Sequence, residues 1–274
     1  MLVLATLILL TRKQTEMKIL KIIIPFLTLT AVCSLYMSCT KENPLTATID
    51  PNLSYAATAQ VFNATVRASR NYIYVDGKPI SGVALAFGAV FPATAYAFKI
   101  NAGSRNLLIK DTLPTTTQVP LSFSHTLDVG KFYTIFMYDT VTNPKQITVI
   151  NKIVIPTDTT ARLRFANFIY NTTFLPNVDV YSFRKIPGTP VFVGGSPVFT
   201  TSTPVFSNIA TTQVTDFIPY PSGLSDTLYV YATGTTSPLI TKQLVTSLTP
   251  TRSYTSVYNG SFKATKGVTT FATY

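Results

Sequence analysis

The sequence predicts an all-β protein made of two tandem β-sandwich domains, and three observations support this prediction. Charged residues are only 12% of the chain, about half the usual share, and both glutamates, Glu16 and Glu42, precede the folded body. Amphipathic surface helices therefore lack their usual residues, whereas abundant Thr, Tyr and Phe favour strands. Short alternating segments recur between turns rich in the 12 glycines and 18 prolines. The second half of the chain also repeats the pattern of the first.

The chain opens with a predicted signal peptide at residues 1–38. Lys18 and Lys21 follow Met17, and residues 19–32 are otherwise largely apolar. A charged start followed by an apolar run is the order of regions in a secretory signal. The earlier apolar stretch at 2–10 is too short to span a bilayer. We therefore expect Met17 to be the true start of the protein.

The segment from Leu35 to Cys39 resembles the lipobox that the bacterial lipoprotein signal peptidase reads. Ser38 is the small residue needed before the cut, and the thiol of Cys39 is the group that receives a diacylglycerol. Tyr36 stands where leucine is usual, so a plain transmembrane anchor stays open as the alternative. We expect Cys39 to carry the lipid and to attach the chain to the bacterial outer membrane, facing either the periplasm or the surface. Residues 39–54 then form a flexible tether rich in Thr, Pro and Asn.

The first predicted domain covers residues 55–155. Residues 71–75 alternate and then reach Asp76-Gly77, a pair that strongly favours a two-residue hairpin turn. Further strand-like runs cover 95–100, 107–109, 132–138 and 146–155. A linker is predicted at 156–160, and the second domain covers 161–274. Its strand-like runs cover 163–168, 178–183, 214–218, 227–231, 239–245 and 254–258.

The two halves match as copies of one unit. The strand from Ala59 to Asn63 corresponds to the strand from Ala161 to Asn167, allowing a short slip. The run Lys131 to Thr134 corresponds to the run Arg252 to Thr255, and each opens a strand near the end of its unit. The repeat of about 100 residues is the size of an immunoglobulin-like sandwich, which we expect each copy to form.

These segments resemble the bacterial family called Domain of Unknown Function 4397. The resemblance lies in an Asn-containing first strand, a Val-Asp-Val strand at 178–180, a Gly-Ser turn at 103–104 and a late Tyr-Thr strand, and it covers about residues 55–260. It implies a lipoprotein with tandem copies and no assigned activity. Arg162 and Asp179 match positions that recur in the family, where they belong to the scaffold.

Residues able to perform catalysis are sparse in the predicted body. It has one histidine, His125, and no cysteine or glutamate, and its aspartates stand mostly at strand ends, where Asp caps turns through its own side chain. The sequence allows a Ser-His-Asp triad that contains His125 and Asp128, but it has no Gly-x-Ser-x-Gly motif to present the serine. No zinc or calcium spacing occurs. We therefore expect no enzyme activity, no metal and no cofactor, with a hydrolase that uses an Asp pair as the less favoured alternative.

Tyrosines on the strands of the second half are the candidate ligand contacts. Tyr229 and Tyr231 are two residues apart in a strand and so share a face. The alternative is that such rings pack at a core edge with wet hydroxyls. The tyrosines considered for a platform are Tyr170, Tyr181, Tyr220, Tyr229, Tyr231, Tyr254 and Tyr258.

Charge argues against a nucleic-acid partner. The formal net charge is +11, but the basic residues are scattered and no run of five like charges occurs. The sequence thus predicts a lipid-anchored, non-catalytic envelope module for binding, adhesion or structure. A surface glycan-binding accessory protein is the alternative, and a receptor for a soluble ligand stays open as a third hypothesis.

Overall fold

The computed structural model describes residues 55–94, 96–184, 192–193, 196–197, 203–223, 226–235, 238–245 and 248–274, with the backbone alone for 184, 192–193, 196–197, 238 and 240–245. The predicted signal peptide, the lipidation at Cys39 and the tether lie outside these residues. Residues 52–274 belong to one compact unit. Within the described part of this unit, no helix has the length and apolar character needed to cross a bilayer.

The predicted all-β class is confirmed, because the described residues form strands and turns and no helix. The strands of the first repeat (55–155) are β1 (Ala56–Asn63), β2 (Tyr72–Val75), β3 (Lys78–Pro79), β4 (Val90–Phe91), β5 (Phe98–Asn101), β6 (Gly103–Lys110), β7 (Leu121–Leu127), β8 (Phe132–Thr140) and β9 (Asn143–Ile150). The strands of the second repeat (161–274) are β10 (Ala161–Tyr170), β11 (Val178–Arg184), β12 (Phe192–Val193), β13 (Ser196–Pro197), β14 (Phe206–Ile209), β15 (Ile218–Tyr220), β16 (Asp226–Ala232), β17 (Pro238–Val245), β18 (Ser253–Ser261) and β19 (Lys266–Ala272).

The first repeat is a sandwich of two sheets. One sheet has the order β4-β1-β8-β9, with β5 also beside β1, and the other has the order β3-β2-β6-β7. Val61, Ile73, Leu107 and Ile135 from both sheets pack into one buried core. The predicted hairpin turn is present: Asp76 and Gly77 both have positive φ, and Val75 pairs with Lys78 across them.

The second repeat has the same architecture. Its sheets run β15-β10-β18-β19 and β14-β11-β16-β17, and they enclose a core that includes Leu163, Phe165, Val180 and Leu228. In both repeats the first strand lies parallel to the strand before the last, β1 to β8 and β10 to β18. The two repeats therefore share one strand order.

Equivalent residues make equivalent bonds in the two repeats. The side-chain amides of Asn63 and Asn167 donate to the carbonyls of Leu85 and Ile209, each at 3.2 Å. The hydroxyls of Tyr133 and Tyr254 each accept a backbone N–H from five residues upstream, at 2.9 and 3.1 Å. Such a tyrosine, bonded back to upstream backbone, is a feature of immunoglobulin-like sandwiches.

The two repeats share a third core. Alternate residues of β1 and β10 face the sheet of the other repeat, which is why both strands are buried on both faces. Phe62 stacks on Phe271 with ring centroids 5.2 Å apart, and Phe136 stacks on Phe168 at 4.9 Å. The sandwiches thus pack face to face through their β1 and β10 sheets. The predicted division at residues 156–160 into separately folding domains stays a prediction.

A polar seam crosses this shared core, and it consists of Gln60, Thr134, Asn151, Arg164 and Thr255. Arg164 is only 2% exposed. Its guanidinium donates to the hydroxyls of Thr255 at 2.8 Å and, across the repeats, of Thr134 at 3.0 Å. It also lies over the rings of Phe136 and Phe217. Burial lowers the pKa of Arg164 to about 9, against the smaller opposing effect of Asp216.

Candidate functional site

Four aspartates of the described residues accept backbone N–H groups with their side chains, and at Asp111 and Asp158 the donor lies two residues further on, as in a turn cap. Backbone N–H groups donate to Asp76 from Asn106, to Asp111 from Leu113, to Asp158 from Thr160 and to Asp179 from Asn208. Because these bonds stabilise the charged carboxylate, those from Asn106 and Arg105 lower the pKa of Asp76. These four carboxylates are therefore engaged in hydrogen bonds within the fold.

His125 lies on β7 with its ring edge-on to Tyr133 at 5.7 Å. The neighbouring hydroxyl of Ser124 donates to Asn106 at 2.6 Å, and the carboxylate of Asp128 accepts from Tyr133 at 3.2 Å. Neither contact belongs to a Ser-His-Asp relay. Within the described part of the chain, no three His, Cys, Asp or Glu side chains gather where they could hold a metal ion.

Tyr229 and Tyr231 lie on one face of β16, as expected for residues two apart in a strand. They cluster with Phe183 and with Tyr181, whose ring meets Tyr231 edge-on at 5.3 Å. The two tyrosines are only 5% and 6% exposed, and burial raises the pKa of both phenols. Their predicted role as ligand contacts stays a prediction. In the structure, both rings are packed in this aromatic cluster.

A cleft of about 460 Å³ lies between the two repeats, and we call it the inter-repeat cleft. This volume lies in the range of roughly 300–1,000 Å³ that is typical of small-ligand sites. The first repeat contributes the end of β8 and the start of β9, and the second contributes the end of β10 with the loops at 171–177 and 210–212. The shared core positions these walls, because Phe168, which lines the cleft, stacks on Phe136 of the first repeat.

Aromatic rings form much of the wall of the inter-repeat cleft. Tyr138 and Phe168 are in contact, with centroids 5.3 Å apart, and Tyr170 ends β10 beside them. Phe174, in the loop after β10, is 91% exposed. A phenyl ring left this open gains almost nothing from folding, and its faces are accessible to a ligand.

Polar side chains stand around these rings. Lys145 pairs with Asp139 at 2.8 Å, and this hydrogen bond raises the pKa of the Lys145 ammonium. Asn171 donates to Thr173 at 2.9 Å, and Asn177 lines the same wall. Among the described residues that line the cleft, Asp139 is the one carboxylate, and it is already paired. The arrangement offers stacking surfaces and neutral hydrogen-bonding groups.

Sequence reasoning included Tyr170 among candidate platform residues but missed Phe174 and Tyr138. A signal for Phe174 was present, since a phenylalanine in the polar run Asn-Thr-Thr-Phe-Leu-Pro has no alternating strand to join. No signal in either half could reveal Tyr138, because its role depends on the packing of one repeat against the other.

No family profile matches this chain, and no curated protein sequence does. Among solved structures, it is similar to a family 26 carbohydrate-binding module from Eubacterium rectale in complex with maltoheptaose, with 11% identity and a TM-score of 0.26 over 80% of this chain and 97% of the other. It is also similar to streptococcal family 41 carbohydrate-binding modules described for alpha-glucan recognition, with 10% identity and a TM-score of 0.23 over 77% and 96%. A streptococcal virulence factor described for alpha-glucan binding has 9% identity and a TM-score of 0.24 over 76% and 94%. At these scores the likeness carries no argument about a common fold or function.

Proposed function

We propose that this protein is a non-catalytic binding module of the bacterial cell envelope that holds a glycan in the inter-repeat cleft. The observation that supports it is Phe174, an almost fully exposed ring at the mouth of a cleft that also contains Tyr138 and Tyr170. A sugar ring has an apolar C–H face and a rim of hydroxyls. Aromatic rings match the first, and amide and hydroxyl side chains match the second.

The amide and hydroxyl groups near the rings suit this ligand. Asn171, Thr173 and Asn177 can both donate and accept hydrogen bonds, as sugar hydroxyls do. The paired charges of Asp139 and Lys145 give this part of the cleft little net charge. A neutral ligand with many hydroxyls therefore fits the lining better than a strongly charged one.

Calorimetric titration of the full chain with glycan fragments tests the proposal. The panel consists of amylose, cellulose, xylan, mannan and pectin fragments, and the protein is held in a detergent without a sugar head group. We expect at least one fragment to bind, and Phe174→Ala to weaken it about fivefold, since one ring contact contributes about 1 kcal/mol. Tyr55→Ala is the matched control, because Tyr55 is an exposed aromatic residue just before β1, far from the cleft. The proposal fails if no fragment binds or if both variants bind alike.

The membrane anchor is part of the same proposal. It rests on Ser38 and Cys39 after an apolar run, and on the resemblance to tandem-repeat lipoproteins of the Domain of Unknown Function 4397 family. Radiolabelled palmitate is expected to enter the wild-type chain and not Cys39→Ala, and the variant is expected to leave the membrane fraction. Equal labelling of both chains contradicts the anchor.

A further inference from the structure

A second cleft, of about 540 Å³, opens on the other side of Tyr170. Its lining includes Arg67, Phe87, Thr140 and Thr142 from the first repeat, and Tyr170 and Ser261 from the second. This second cleft thus also lies between the repeats. Nothing in the proposed function uses it.

The two clefts adjoin along one hairpin. The β8–β9 hairpin gives Tyr138, Asp139 and Lys145 to the inter-repeat cleft, and it gives residues 140–142 at its tip to the second cleft. Tyr170 lines both. The two clefts therefore have the β8–β9 hairpin and Tyr170 as common walls.

The second cleft has the same kind of lining as the first. Phe87 supplies an exposed aromatic ring, and Thr140 and Thr142 supply hydroxyls that lie 3.3 Å apart. Arg67 adds a guanidinium with five N–H donors. Its backbone is held at φ +69°, a conformation that non-glycine residues rarely adopt and that surrounding structure must stabilise.

We infer that the two clefts are one groove, in which a linear oligosaccharide lies across Tyr170 with sugar residues in both clefts. This inference rests on the proposed function, and it specifies its ligand as a chain bound along its length. A compact ligand or a single sugar uses only one of the two aromatic surfaces, whereas an extended chain uses Phe174 and Phe87 at once.

The test compares a trisaccharide with a hexasaccharide of each chain type in the panel, by calorimetry on the full chain. We expect the hexasaccharide to bind more than tenfold tighter. That threshold exceeds the gain from the several registers in which a hexasaccharide can occupy a trisaccharide-sized site. Arg67→Asn and Phe87→Ala are expected to remove the gain and leave trisaccharide affinity unchanged. Asn suits position 67 because it tolerates positive φ.

The outcomes separate the two claims. Phe174→Ala is expected to weaken trisaccharide and hexasaccharide alike, because its ring lies in the inter-repeat cleft. Equal wild-type affinity for both lengths overturns the single groove and leaves the proposed function standing. A length-dependent gain in affinity that persists in both Arg67→Asn and Phe87→Ala also overturns the single groove and leaves the proposed function standing. Absence of binding to any fragment overturns the proposed function itself.

Discussion

Gln60 and Arg164 occupy equivalent positions, each paired in register with a threonine of the neighbouring parallel strand. Gln60 reaches the carbonyl of Ala272 in the other repeat at 3.4 Å, and Arg164 reaches Thr134 in the other direction. Only Arg164 is charged, and burial of a charge costs free energy that hydrogen bonds to two neutral hydroxyls offset only in part. This residue therefore specifies how the repeats meet at a cost to stability.

Arg164→Met is expected to leave the free energy of unfolding unchanged or to raise it by up to about 4 kcal/mol. The threonines keep other partners, since Thr134 bonds Gln60 and Asn151, and Thr255 bonds Thr273. Urea denaturation measures the change. Arg164→Ala, which leaves a cavity, is the control and is expected to be less stable than Arg164→Met. A loss above about 1 kcal/mol for the methionine variant contradicts this account.

Burial of Arg164 should also make the free energy of unfolding depend on pH in a definite direction. The pKa of Arg164 is lowered to about 9 from its ordinary 12.5, so the folded state holds fewer protons than the unfolded state between these values. The destabilising effect of the buried charge is present in full below pH 9 and is relieved as pH rises. The stability of the wild type relative to Arg164→Met should therefore rise above pH 9. A flat difference up to pH 11 would show that the guanidinium stays protonated.

Replacement of Tyr229 or Tyr231 should lower the stability of the fold, whereas replacement of Phe174 should weaken ligand binding. Their rings are packed with Phe183 and Tyr181, so Tyr229→Ala and Tyr231→Ala are each expected to lower the free energy of unfolding by about 3 kcal/mol. The phenylalanine variants keep the rings and should lose about 1 kcal/mol. If the alanine variants melt like the wild type, the rings are not structural, and the predicted ligand contact gains support.

At the scale of strands and turns, two glycines with positive φ offer a matched comparison. At Gly77, in the β2–β3 turn, a Cβ would meet nothing within 4 Å, so Gly77→Ala should cost only about 1 kcal/mol of backbone strain. At Gly260, in β18, a Cβ would overlap the carbonyl oxygen of Thr265 and approach the Cα of Lys266 to 2.8 Å. Backbone must move there, so we expect Gly260→Ala to cost more than about 2 kcal/mol. Thermal melts that rank the two variants equally contradict the close approach.

Much of the fold could be predicted at this scale because local turn chemistry and repeated residue types are visible in the sequence. Asp76-Gly77 specifies its hairpin through the φ values that its two residues tolerate. The repeat was visible because Asn63 and Asn167, like Tyr133 and Tyr254, make the same bonds in each copy. The asparagine bonds span 22 and 42 residues, but the residue types that make them recur at matching places in both copies.

The contact between the repeats could not be predicted, and with it the clefts. Gln60 and Arg164 alternate with apolar residues along β1 and β10, a pattern typical of strands with one face in water. That face is instead buried against the other repeat, and the polar side chains satisfy one another across it. The inter-repeat cleft forms only when Tyr138 and Phe174 are brought together. The residues that line it therefore cannot be predicted from the sequence of either half alone.

At the scale of the whole molecule, the shared core predicts different behaviour for the two halves expressed alone, at about residues 45–157 and 158–274. We expect each to fold with β-type circular dichroism and its own melt. The first half exposes Phe62, Phe136 and Gln60 and should self-associate to cover them. The second should stay monomeric, because pairing two copies would bring two Arg164 charges into one interface.

Analytical ultracentrifugation of both halves tests this expectation, and mixing them should restore a one-to-one complex. Arg164→Met in the second half is the informative variant, since it removes the repulsion and should allow that half to dimerise. A monomeric first half, or a dimeric wild-type second half, contradicts the account.

The shared core also contains a systematic difference between the two copies. The strand registers identify four pairs of equivalent positions in the two copies, which are Phe62 and Ala166, Ala64 and Phe168, Phe136 and Val257, and Val149 and Phe271. At every one of these sites one copy has phenylalanine where the other has a smaller residue, and all belong to the shared core. This difference makes the copies unequal partners, so neither can be replaced by a second copy of the other without doubling some rings and losing others.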